Sequence, residues 1–272
     1  MTTFNRRVML RGGAALAVAG AGLLRTSGTR AQANPLPEVQ ALLFDVFGTV
    51  ADWRNGVARE AERVLKPLGY SFDWLAFADA WRAEYQPAME EVRSGRIPFS
   101  RLDVLHRRML DRILPRFEIK DVPQDALQDL NLAWHRLDAW PDVSGGLTQL
   151  RSRFLVAPVS NANISLMVDL ERRNNLQFDA VLGAEIAGDY KPKPRVYLAA
   201  AEAFGLAPGE CMMVSAAAHS SDILGAGGAG LRNATVARPD EFGPGTAITV
   251  PKEKVDIVAK DLHDLADRLG SS

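Results

Sequence analysis

The sequence predicts an α/β protein, a doubly wound parallel sheet with a four-helix cap domain inserted after its first strand. Three observations carry that prediction. Short, continuous apolar runs bounded by turn residues recur at 41–44, 154–159, 180–182, 211–214 and 234–237, as strands buried on both faces require. Amphipathic segments at 145–153, 164–174, 195–204 and 222–230 separate the later runs, and strands alternating with helices imply parallel crossovers. Between the first run and the second, residues 55–136 carry helical periodicity and no strand run.

The chain begins with a segment unlike the rest. Residues 1–33 hold five arginines (Arg6, Arg7, Arg11, Arg25, Arg30) and no acidic residue. Arg6-Arg7, a mild apolar stretch over 14–24 and Ala31-Gln32-Ala33 follow the order of a removable export signal with a twin-arginine character. The apolar stretch is too short and too rich in Ala and Gly to span about 30 Å of hydrocarbon, which disfavours a membrane anchor. The expectation is a mature chain starting near Asn34, exported by the twin-arginine machinery and working in the periplasm.

Composition bounds what that mature chain does. With 272 residues, 47% hydrophobic and 24% charged, it is neither collagenous, disordered nor a multi-span membrane protein. The formal net charge of −1 averages two parts, since removing the five leader arginines leaves 27 of the 32 basic side chains against all 33 acidic ones. A surface for nucleic acid needs the opposite balance, and nothing in the mature segment calls for a membrane partner. One cysteine, Cys211, allows no internal disulfide and no cysteine-rich metal site, which suits a protein folded before export.

The first apolar run follows Pro35 and Pro37 and stops at Asp45, with Gly48 as the turn residue. Asp45 then sits at the carboxyl end of a buried strand, where ligands of open α/β sheets bind. Ser160, Asn161, Lys191 and His219 likewise follow strands or stand in the loops beyond them. In the inserted segment, apolar stripes at helical spacing read as four helices: Val57, Ala61, Val64, Leu65 and Leu68, then Trp74, Phe77, Trp81 and Tyr85, then Leu102, Leu105, Met109 and Ile113, then Leu127, Leu130, Trp134 and Leu137. The domains are therefore a cap over 55–136 and an α/β core over 34–54 and 137–272. His106, His135 and His263 fall on predicted helices and are expected at the surface.

Four motifs organise the core. They are Asp45-Val46-Phe47-Gly48-Thr49-Val50, Val159-Ser160-Asn161, Lys191-Pro192 and the stretch from Val214 to Asp222. In this order and spacing they resemble the haloacid dehalogenase superfamily over nearly the whole mature chain. Most members of that superfamily are Mg²⁺-dependent phosphatases, and Mg²⁺ needs hard oxygen ligands. The resemblance puts a second aspartate two positions after the nucleophile, where this chain has Phe47, and a metal-binding carboxylate in the fourth motif, where it has Ala218. Asp45 and Asp222 remain as the pocket carboxylates, with Lys191 to offset their charge. The chain therefore looks like the subgroup that works without metal or other cofactor, the L-2-haloacid dehalogenases.

That resemblance implies roles. Asp45 attacks C2 of a short 2-haloalkanoate, forming an ester and expelling halide, and water then attacks the ester carbonyl and releases a 2-hydroxy acid with inverted configuration. Lys191 keeps Asp45 ionised, and Thr49, four residues on, hydrogen-bonds its carboxylate. Ser160 and Asn161 bind the substrate carboxylate, Arg82 on the second cap helix stabilises the departing halide, and Tyr197 lines the pocket. His219 departs from the better-known members, which have Ser and Asn ahead of the fourth-motif aspartate where this chain has Ala217 and His219; the run resembles one branch of the type II dehalogenase-like proteins. A histidine there can take the proton of the hydrolytic water and needs a carboxylate to orient it. Glu60 is the candidate, with Asp52 and Asp222 as competitors. Related enzymes are often dimers, so a homodimer is a further expectation. Two other readings stay open at this point: an Mg²⁺-dependent phosphatase with an unusual ligand set, and a weakly catalytic exported protein that binds small carboxylates.

Overall fold

The first run of apolar residues does form the centre of a sheet. In the computed structural model, which describes residues 38–244 and 255–270, β1 (Ala41–Phe44) is wholly buried and leads through a turn at Gly48 to the short strand β2 (Ala51–Asp52). The expected export signal lies outside the described residues. Five helices follow: α1 (Trp53–Leu65), α2 (Trp74–Ala83), α3 (Tyr85–Arg93), α4 (Leu102–Ile113) and α5 (Gln124–Asn131), the last extended by a 3-10 turn over Leu132–His135. The strand β3 (Asp138–Ala139) returns antiparallel to β2, with Ala51 opposite Ala139 and Asp52 opposite Asp138. This clasp closes the insertion at its neck.

The rest of the chain alternates as an α/β sheet should. It runs α6 (Val143–Arg151), β4 (Leu155–Ser160), α7 (Ile164–Asn174), β5 (Leu182–Gly183), α8 (Ala184–Ala187), α9 (Pro194–Ala203), β6 (Cys211–Ala216), α10 (Ser220–Gly228), β7 (Arg232–Val236), β8 (Ile257–Ala259) and α11 (Leu262–Gly270). The six-stranded sheet has the order β5-β4-β1-β6-β7-β8, and all its pairings are parallel. Alternate residues of β1 enter two cores. Leu42 and Phe44 pack with Leu147, Met167 and Leu265 from α6, α7 and α11, while Ala41 and Leu43 pack with Val196 and Ala200 from α9. Burial on both faces is why the strand reads as an unbroken apolar run.

The cap contains five α-helices rather than four. The stripe Trp74, Phe77, Trp81 and Tyr85 crosses a break at Glu84, because Pro87 has no N–H to give the carbonyl of Ala83 and fits only within the first turn of a new helix. Aspartates start two of the cap helices: Asp52 accepts from the Asn55 amide, and Asp73 from the amides of Leu75 and Ala76. Leu68 ends its stripe 42% exposed instead of in the core. The apolar cluster on the Phe44 side of the sheet continues without interruption into the cap through Phe47, Trp53, Trp81 and Trp134. Among the described residues no helix is long and apolar enough to cross a membrane.

Candidate active site

Three adjacent strands, β4, β1 and β6, end at one edge of the sheet, on either side of the point where the chain switches direction of winding. That is where open α/β sheets bind ligands. A cavity of about 510 Å³ opens there between core and cap, lined by Asp45, Phe47, Arg82, Asn161, Lys191 and His219 among others.

Asp45 is buried and both its oxygens are engaged. Lys191 Nζ donates to Oδ1 at 2.7 Å, Thr49 Oγ1 donates to Oδ2 at 2.8 Å, and His219 Nδ1 lies 2.8 Å from Oδ2. Thr49 Oγ1 in turn accepts from the amide of Ala216 at 2.7 Å, which ties the first motif to the end of β6. Burial opposes the charged form of Asp45, but Lys191 and His219 outweigh it and hold the carboxyl well below the usual carboxylate range.

The ammonium of Lys191 sits between two carboxylates, 2.7 Å from Asp45 Oδ1 and 2.7 Å from Asp222 Oδ2. Burial works against its charge, and the two aspartates more than compensate, so it stays protonated. Burial also raises the carboxyl of Asp222, helped by the charge of Asp45 and opposed by Lys191. Asn161 Oδ1 accepts from the Lys191 amide at 2.9 Å, and Arg93 of α3 donates to the Lys191 carbonyl at 2.7 Å. The lysine is thus fixed from the core and from the cap at once.

His219 stands at the N-terminus of α10, and its second nitrogen, Nε2, lies 2.8 Å from Oε1 of Glu241. Glu241 is buried, accepts from Trp53 Nε1 at 3.1 Å, and lies against Gly48. Gly48 has φ +92°, and a Cβ there would fall 2.0 Å from Glu241 Oε1, so both backbone and space demand glycine. Burial lowers the affinity of His219 for its proton, but hydrogen bonds and charge from Asp45 and Glu241 push its pKa up to about 10.

The remaining expected residues divide. Arg82 borders the cavity with its guanidinium 4.1 Å from the Tyr85 ring centroid and 5.3 Å from that of Trp53, and its buried Nη1 has no protein partner. Ser160 turns inward, where its Oγ accepts from the Ala162 amide at 3.1 Å. Tyr197 is fully buried and does not line the cavity; it donates to Asp222 Oδ1 at 3.1 Å and so holds that carboxylate. Glu60 is not the partner of His219. It pairs instead with Arg63 at 2.9 Å and Arg136 at 3.1 Å, on the face of α1 turned to α5 and the neck. Asp52 is occupied as the α1 cap, and Asp222 by Lys191 and Tyr197.

Sequence reasoning missed Glu241, Arg93 and the wall residues Trp53 and Phe242. The signal for Glu241 was its place just beyond β7, since residues past the carboxyl ends of strands approach the site. Two histidines expected at the surface are buried. His106 stacks on Trp134 with centroids 4.3 Å apart, and His135 lies between Asp103 Oδ1 at 3.0 Å and Asp169 Oδ2 at 2.7 Å.

A divalent cation does not fit this donor set. Among the described residues only Asp45, His219 and Asp222 cluster closely enough to hold one. Every oxygen of the two aspartates already has a protein partner, the Lys191 ammonium holds the position between them that a cation would take, and Phe47 and Ala218 offer no further carboxylate.

Residues 39–230 match the haloacid dehalogenase-like hydrolase family. The solved structure of a defluorinating L-2-haloacid dehalogenase, Rha0230, is 40% identical, with a TM-score of 0.82 over 85% of this chain and 95% of that one. That of the L-2-haloacid dehalogenase PA0810 is 38% identical, with a TM-score of 0.81 over 86% of this chain and 100% of that one. The (S)-2-haloacid dehalogenase 4A of Burkholderia cepacia is 29% identical over 211 residues, 75% of this chain and 87% of its own. With the parallel sheet, the inserted helical cap and the four motifs at one edge, this chain belongs to the haloacid dehalogenase-like hydrolase family.

Proposed function

We propose that this hydrolase removes halide from a short (S)-2-haloalkanoic acid without a metal, through an aspartyl ester, and yields the 2-hydroxy acid of inverted configuration. The observation that carries the reading is the state of Asp45: an ionised carboxylate at the floor of a cavity, braced by Lys191 and Thr49, with the unpaired Nη1 of Arg82 in the cap wall. An ionised carboxylate is a nucleophile towards a saturated carbon. A guanidinium, weakly hydrated and permanently charged, suits the departing halide. The names of the similar proteins support the same substrate class.

In the first half-reaction an oxygen of Asp45 attacks C2, the carbon–halogen bond breaks, and halide leaves towards Arg82. In the second, water adds to the ester carbonyl of Asp45 with His219 as general base and Glu241 fixing the ring, and the hydroxy acid departs. Tyr197 and Lys191 position Asp222, which balances the lysine's charge.

The test is halide release from L-2-chloropropionate with chelator present. Turnover should persist, and Asp45→Asn should lower it by about 10⁴-fold or more, the loss typical when a nucleophile is removed. Release by that variant at the native rate overturns the assignment, as does p-nitrophenyl phosphate hydrolysis that depends on added Mg²⁺. The leader of residues 1–33 supports export by the twin-arginine route. N-terminal sequencing of the periplasmic form should begin near Asn34, and retention of the whole chain in the cytoplasm argues against it.

A further inference from the structure

A histidine with a carboxylate at each ring nitrogen has one protonation state that satisfies both contacts. His219 Nδ1 faces Asp45 Oδ2 and Nε2 faces Glu241 Oε1, each at 2.8 Å. Ionised carboxylates only accept, so both nitrogens must donate, and the resting side chain is an imidazolium. The groups around it agree: Asp45, just beyond β1, is held ionised, and the further carboxylate within 4.8 Å of the ring, Asp222, is paired with the Lys191 ammonium rather than with His219. An imidazolium cannot take a proton from water. The resting site therefore lacks the base that its second half-reaction needs.

We infer that the first half-reaction creates that base: esterifying Asp45 removes one of the two carboxylates that hold the imidazolium, and His219 then releases its Nδ1 proton to solvent before hydrolysis begins. The inference rests on the dehalogenase reading and deepens it.

The balance closes. In the first half-reaction Asp45 carboxylate, the 2-haloacid anion and imidazolium give the ester, halide, neutral His219 and one solvent proton. In the second, the ester, water and neutral His219 give Asp45 carboxylate, the hydroxy acid anion and imidazolium. Their sum is haloacid anion plus water to hydroxy acid anion, halide and a proton. The substrate's own carboxylate is present on both sides of the first step, so the charge that changes beside His219 is that of Asp45. Glu241 keeps its contact throughout, which leaves the Nε2 proton in place and bares the Nδ1 lone pair on the side where Asp45 and the water meet. His219 borders the cavity, so its proton has a route out.

Two measurements test this independently. In a single turnover of 2-bromopropionate with a pH-indicator dye, about one proton per site should be released at the rate of bromide release, ahead of the hydroxy acid. Protons released only with the hydroxy acid overturn the inference. Separately, Asp45→Asn is a neutral counterpart of the ester that needs no substrate. Nitrogen NMR of labelled histidine should find His219 charged at pH 7 in the native protein and neutral, protonated at Nε2, in the variant. A neutral ring in the native protein or a charged one in the variant overturns it. Because the NMR comparison does not involve turnover, absence of halide release would refute the proposed activity while leaving this result to be read on its own.

Discussion

Two histidines in this protein, one buried and one at the cavity wall, are each clamped between two carboxylates. His219 lies between Asp45 and Glu241, each at 2.8 Å. His135 lies between Asp103 at 3.0 Å and Asp169 at 2.7 Å. In both, burial lowers the ring's affinity for its proton and the flanking carboxylates reverse that effect, raising the pKa of His135 above its ordinary value and that of His219 up to about 10. The difference lies in what the carboxylates can become. Asp103 and Asp169 join α4 of the cap to α7 of the core, with Asn163 bonded to Asp103 at 2.8 Å, and no chemistry alters them. Asp45 lines a cavity and is, in the reaction proposed above, the nucleophile. The same clamp is an architectural tie in one place and a store of one proton in the other, because only one of them contains a group that reacts.

Substitutions can break or sharpen that contrast. The largest effect is expected at Asp45→Asn, with halide release lost. Next, His219→Ala should still form the ester but hydrolyse it about a thousandfold more slowly, within the range for losing a general base. Mass spectrometry should find the adduct accumulating, and an unmodified protein after exposure to substrate would contradict the role. Glu241→Gln keeps the shape and removes the charge, so it should slow hydrolysis by about tenfold to a hundredfold and leave the rate of halide burst nearly unchanged. Equal slowing of both phases would make Glu241 a structural group only.

On the other side of the comparison, His135→Asn should cost stability rather than chemistry, about 1 kcal/mol in denaturant unfolding, because the partly buried carboxylate of Asp103 and the exposed one of Asp169 lose their shared cation. The pH dependence follows from the direction of the shift. The folded value for His135 is raised above the unfolded 6.5, so its stabilisation is complete below about 6.5 and fades as pH rises through the folded value. Asp103 is held below its ordinary value and loses its share as pH falls through that lower value. The native protein's advantage over the variant should therefore be largest in mildly acidic solution and shrink in alkali. The smallest effect is expected at Glu60→Gln, which should change turnover by less than about twofold while weakening the helix pairing by about 1 kcal/mol.

Much of the site was legible because an α/β sheet delivers residues to one edge. Asp45, Asn161, Lys191 and His219 meet for that reason, each following a strand or standing in the loop beyond one. What sequence could not rank was pairing across distance. His219 contacts Glu241, 22 positions on, while Glu60 looked suitable only for its nearness to the first strand. The burial of His106 and His135 was hidden for a related reason. A polar residue on a helix is normally solvated, and only tertiary neighbours such as Trp134 or Asp169 overturn that. The break at Pro87 was masked by a stripe that keeps its spacing across two helices.

The unbroken apolar cluster from Phe44 to Trp134 bears on how fast the protein can turn over. Swinging the cap away from the sheet would part Phe47 from Tyr85 and Trp134 and pull Arg93 from the Lys191 carbonyl, exposing aromatic surface and loosening that lysine together. Substrate and product should therefore pass over the rim at Ala83, Gln86, Ser220 and Phe242 by small side-chain movements. Such movements take nanoseconds, whereas hinged domains take microseconds to milliseconds. Turnover should accordingly be insensitive to solvent viscosity and limited by ester formation or hydrolysis.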